Sequence, residues 1–159
     1  FKTTGNKSNS VILFFHAMGV TGESSMPVAE KMAEKYYCIM PTSTVYCSGQ
    51  RYQSKRDEIQ QIVRFLWNHG IKEIELIVAS SIGADLAMAF LTEIKIPVKH
   101  VFFDGGQFAQ IGKTLKRIMW CDDDKIKPYF IEAGKNLTYG NLRRQLTDSL
   151  EDKPFSELS

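Results

Sequence analysis

The chain has 159 residues, which fits one domain, and a domain of that size buries roughly 70% of the surface its unfolded chain exposes. Its 20 Lys and Arg against 18 Asp and Glu give a formal charge of +2, and neither sign forms a run that suggests a nucleic-acid or membrane-surface partner. Cys38, Cys47 and Cys121 lack the close pairing of a zinc site and the density of a disulfide framework, so they read as reduced thiols. No apolar stretch reaches the ~20 residues of a membrane span, and the first residues lack the basic and apolar segments of a leader. A soluble, cytoplasmic protein is the expectation, with Phe1 leaving room for a removed segment.

Short apolar runs alternate with longer amphipathic ones, the pattern of a parallel sheet covered by helices. Val11 to Phe15, VILFF, has no polar alternation and predicts a strand buried on both faces. After the loop HAMGVTGE, Ser24 and Ser25 can cap a helix whose first turn takes Pro27 and whose apolar positions are Val28, Ala29, Met32, Ala33 and Tyr36. YYCIM is a second strand, and Thr42 to Gln53 has no period and reads as a surface loop. Ser54 with Asp57 and Glu58 starts the next helix, Ile59, Ile62, Val63 and Leu66 form its stripe, and Gly70 stops it. IELIV at 74–78, a helix from Ile82 through Ile94, and VKHVFF ending at Asp104-Gly105-Gly106 complete the pattern. Phe108 to Trp120 has helical spacing, CDDDK and Pro128 interrupt it, and a last helix is predicted from Thr138 to Leu150. The expected fold class is α/β: an open, mostly parallel sheet of four or five strands with helices on both faces. Residues 1–107 would form this core and 108–159 a helical extension.

ASSIG, residues 79–83, lies where a buried strand gives way to a buried helix. Such a turn brings the strand end against the helix start and excludes bulk, so Ala79 and Gly83 flank Ser81 and force it to the apex with its hydroxyl outward. That is the geometry of a nucleophile elbow, here spelled AxSxG in place of GxSxG. In open α/β sheets the reactive crevice lies at the carboxyl ends of the strands, so HAMG and ASSIG share it if the first and third strands are neighbours. The N–H of Ile82, at a helix N-terminus, has no intrahelical partner and can face a developing oxyanion, and the N–H of Met18 is the second candidate donor.

With these pieces in order, the chain resembles part of a serine-type α/β-hydrolase. The resemblance rests on VILFFHAMG, YYCIMPTSTVYCSGQRYQS and IELIVASSIGADLAMAF, with FKTTG similar to the end of the preceding strand, and runs from Phe1 to about Gly106. It departs from the family at Ala17, where the His-Gly glycine is expected, and in the loop before Ser54. It implies cleavage of an ester or related acyl bond through Ser81 and an acyl-enzyme, with His16, Gly19 and Gly83 supporting the site. It also implies a triad acid and a histidine after the serine, a small-molecule acyl substrate, and neither cofactor nor metal. The segment after Phe108 would begin a cap, the chain stopping inside it.

The histidines fit that order poorly. His100 is the one that follows Ser81, and it lies several residues before its strand's carboxyl end; His69 ends a helix; His16 would organise the oxyanion loop. Asp104, at the end of the fourth strand, can be a triad acid or simply part of an Asp-Gly-Gly turn. Cys121 as a nucleophile has no histidine beside it, and Asp122 to Asp124 lack the ligand spacing of a calcium loop. The alternatives to an enzyme are a ligand-binding module without a complete triad, or an interaction domain in which ASSIG is only a tight turn. Oligomeric state is not legible.

Overall fold

The computed structural model describes residues 1–106 and 139–150. Five strands form one sheet: β1 (Lys2–Thr4), β2 (Ser10–Phe15), β3 (Tyr36–Met40), β4 (Ile74–Ser80) and β5 (Val98–Asp104). The helices are α1 (Met26–Met32), α2 (Lys55–Asn68), α3 (Ile82–Glu93) and α4 (Tyr139–Leu150). The sheet order is β1-β3-β2-β4-β5, with β1 antiparallel to β3 and the other neighbours parallel. As the unbroken apolar run requires, Val11 through Phe15 are all buried. On one face Leu13, Ile39 and Ile77 pack against Ile59, Leu66, Ala84 and Phe90 of α2 and α3. On the other, Ile12, Phe14, Cys38 and Met40 meet Ala29 of α1. Helices thus cover both faces, as expected.

The local signals behave as their chemistry dictates. Ser54 caps α2 by accepting from the Asp57 N–H at 3.2 Å, and Gly70 ends the following turn at φ 68°. Two expectations need correction. The first helix does not reach Tyr36: α1 stops at Met32 because the sheet takes Tyr36, paired with Ser10, and Val28 stands 54% exposed. Residues 42–53 are not a surface loop throughout. Ser43, Thr44, Val45, Tyr46 and Tyr52 are buried, with a short 3-10 turn at Thr44–Tyr46. The N–H groups of Ser43, Thr44 and Tyr52 donate to side chains distant in sequence, those of His16, Glu58 and Asn141, a solution that no local period reveals. Among the described residues β5 is an edge strand, and its Phe102 is 58% exposed. The expected Phe108–Trp120 helix, Cys121, Asp122 to Asp124 and the boundary near residue 107 lie outside the described residues.

Candidate active site

Parallel pairing of β2 with β4 and of β4 with β5 brings the ends of three strands together, with Phe15 opposite Ala79 and Ser80 opposite Asp104. The chain leaves β4 through Ser81, which has φ 52° and ψ −120°. Among the described residues it is the one non-glycine with positive φ. This conformation is outside the small left-handed basin and costs of order 1–3 kcal/mol, so the surroundings must impose it. They do so from both sides: the Ser81 N–H donates to the Asp104 carbonyl at 3.1 Å, and the Ser81 carbonyl accepts from the Ala84 N–H at 2.9 Å. Ser81 itself is exposed.

Gly83 explains why the bend is so tight. A Cβ there would lie 2.5 Å from the Phe15 carbonyl oxygen and 2.7 Å from that of His16, so the start of α3 rests directly on the end of β2. Ala79, fully buried, is the small residue on the other side. The bulk that ASSIG excludes is thus excluded by the carbonyls of Phe15 and His16. Beside the bend, the Ser80 hydroxyl lies 3.5 Å from an Asp104 carboxylate oxygen, and Asp104 is exposed.

The turn after β2 is fastened to the segment after β3. The Ser43 N–H donates to His16 Nε2 at 3.0 Å, which leaves the ring proton on Nδ1, and Nδ1 donates to the Ala17 carbonyl at 2.8 Å. Burial lowers the His16 pKa below its ordinary value. With both nitrogens engaged, His16 is not placed to take a proton from Ser81. Gly19, at φ 83°, donates its N–H to the Tyr46 hydroxyl at 3.0 Å, and burial pushes that phenol up to about 12. The side chains of Met18 and Ile82, whose amides were the candidate oxyanion donors, pack against one cluster of Val45, Tyr46, Tyr52 and Leu142. His69 caps the end of α2 with Nδ1 2.8 Å from the Phe65 carbonyl. His100, in register with Leu76, is four residues before Asp104, roughly 13 Å back along the strand.

A second layer of polar groups, which the sequence expectations missed, backs this turn. Glu58 accepts from the Thr44 N–H at 3.1 Å and from the Thr44 hydroxyl; burial raises its pKa and the Thr44 hydrogen bonds oppose the rise. Helix α4 lies over the same segment. Asn141 accepts from the Tyr52 N–H at 3.2 Å and donates to the Gln50 carbonyl at 3.0 Å, and Gln145 donates to the Ser43 hydroxyl at 3.5 Å. One Asp148 oxygen accepts from both the Tyr52 hydroxyl and the Lys55 N–H at 2.5 Å. Positions 141, 145 and 148 share one helical face, and the spacing was the single signal available beforehand. A small cavity of about 30 Å³ remains between α2, α3, α4 and the end of β2, with Lys55, Glu58, Asp85 and Gln145 in its lining.

A mostly parallel sheet with helices on both faces and this strand order is the α/β-hydrolase fold, and solved structures agree on the fold. The chain superposes on an alpha/beta hydrolase family protein from Desulfitobacterium hafniense with a TM-score of 0.76 and 15% identity, over 94% of this chain and 71% of that one. A structure from work on carboxylesterases of Nitrososphaera gargenis gives 0.70 and 10% identity, over 96% and 68%. One from work on epoxide hydrolases from metagenomes of hot environments gives 0.64 and 12%, over 94% and 60%. No protein-family model matches the sequence, and no curated protein matches it. Among the described residues there is no group of His, Cys, Asp or Glu suited to hold a metal, and no helix long and apolar enough to cross a membrane.

Proposed function

We propose that this chain carries the nucleophile half of a hydrolase that cleaves an ester or related acyl bond. The observation that carries the reading is Ser81, exposed at φ 52° on a turn that Gly83 and Ala79 permit. Strain of this kind is retained where the surrounding structure enforces it, and a strained hydroxyl at the carboxyl end of a parallel sheet is suited to attack a carbonyl. Ser81 would form the acyl-enzyme, the N–H groups of Met18 and Ile82 would hold the oxyanion, and water would release the acyl group. His16 and Gly19 would fix the oxyanion turn through Ser43 and Tyr46, and Asp104 is the candidate acid. No cofactor is required. The base is none of His16, His69 and His100, because the first is doubly engaged and the others lie away from the turn.

That last point also supports a second reading, a pocket that binds a small acyl compound without turning it over. Both are tested on the full-length protein. On the enzyme reading, a fluorophosphonate labels Ser81 and ester turnover disappears in Ser81→Ala. Binding of an acyl ester with neither labelling nor turnover would instead identify the binding module.

A further inference from the structure

We propose that Lys55 is a positioning residue: in the cavity behind the Ser81 turn it neutralises Asp85, and so keeps the amide end of α3 electropositive toward the group that Ser81 attacks. The inference rests on the acyl-transfer reading of Ser81 and adds an electrostatic device to it.

The geometry is as follows. Ile82 opens α3, and Asp85 lies three residues further on, about 4.5 Å along the axis and still in the first turn. Asp85 is 7% exposed, so water screens its carboxylate little. A negative charge there favours the helix but opposes a second negative charge growing at the Ile82 amide, where an oxyanion would form. Lys55 opens α2, is 9% exposed, and lines the same small cavity as Ile82, Gly83 and Asp85. An ammonium at a helix N-terminus is unfavourable for its own helix. Burial lowers the Lys55 pKa, and the charges that oppose the fall and favour the ammonium are Asp85 first, then Asp148 of α4 and Glu93 further along α3. Glu93 is exposed and Asp148 half-buried, whereas Asp85 is buried. Glu58 shares the cavity, and its carboxylate is held by Thr44. The pair within reach of the Ser81 turn is therefore Lys55 with Asp85.

The test is the second-order rate of Ser81 labelling by an uncharged fluorophosphonate, per folded full-length protein, in K55M, K55R, D85N and K55M/D85N. The expected result is about a tenfold loss in K55M, near-wild-type rates in K55R, and recovery to within about threefold in K55M/D85N. D85N alone, which removes the buried negative charge and keeps the lysine, should label as fast as wild type or faster. A pair that only supports packing predicts the reverse sign for D85N and better tolerance of Met than of Arg, and either result overturns the proposal. Should K55M not fold, the sign for D85N and the rate of the double variant decide. Absence of labelling in the wild-type protein would instead remove the acyl-transfer reading beneath it.

Discussion

The turn at Ser80–Gly83 is held by backbone packed on backbone, whereas the cover that α4 forms is held by side chains reaching 89 to 102 residues along the chain. The two border one crevice, yet they respond differently to change. Backbone contact tolerates no added atom, because neither partner can rotate away. Side-chain hydrogen bonds can be lost one at a time, each at a modest net cost, with the larger penalty arising when a buried donor is left without an acceptor. Substitutions in the first region should therefore act on the whole fold, and those in the second on docking of a single helix.

Gly83→Val breaks the comparison most severely. Its Cβ would sit 2.5 Å from the Phe15 carbonyl oxygen, so either α3 or β2 must move, at about 3 kcal/mol. Denaturant unfolding should show this loss as a lower midpoint with unchanged slope; an unaltered midpoint would mean that the close approach is not what shapes the turn.

Next comes Asp148→Ala, at about 2 kcal/mol, since it strips the acceptor from the Tyr52 hydroxyl and the Lys55 N–H together. The cost should fall on α4. Amide hydrogen exchange is expected to accelerate in residues 139–150 and to stay unchanged in β2 and β4, the inner strands that pair with a neighbour on either side. Uniform acceleration across the chain would put α4 into the same cooperative unit as the sheet.

The same contrast explains what could be read from the sequence. VILFF, IELIV, the Ser54 cap and the ASSIG bend depend on neighbours within a few positions or on packing that only small residues allow, so composition and spacing expose them. Residues 42–53 resisted that approach. Thr44, Tyr46 and Tyr52 look like ordinary loop residues until Glu58, Gly19 and Asn141 arrive from elsewhere to satisfy them. Lys55 was hidden for a related reason: a lysine opening a helix reads as solvated, and nothing in its vicinity announces that Asp85 will share its cavity. Tyr36 fits both a helical and an alternating pattern, and strand pairing decided between them.

Ser81→Gly sharpens the view of the turn with a smaller effect of opposite sign. Glycine takes φ 52°, ψ −120° without strain, and after the extra entropy of the unfolded chain is subtracted the variant should gain about 1 kcal/mol. Ser81→Ala keeps its Cβ and should gain little. A higher melting temperature for the glycine variant than for the alanine variant is the expected order, and equal values would place the strain elsewhere.

The smallest effect concerns the fastening between the two regions, and it appears only with pH. Folded His16 accepts from the Ser43 N–H through Nε2, and burial depresses its pKa below 6.5. Above 6.5 the ring is neutral in both states and the fastening contributes fully. As pH falls, the unfolded chain binds a proton that the folded one refuses, so stability declines until the folded pKa is reached. The slope approaches but cannot exceed about 1.4 kcal/mol per pH unit for one proton. In His16→Gln the side-chain oxygen can still accept from Ser43 but cannot titrate. The variant should therefore start lower at pH 7.5 and lose less between pH 6.5 and 5. Parallel curves for the two proteins would assign the acid sensitivity to another group and leave His16 as a packing residue alone.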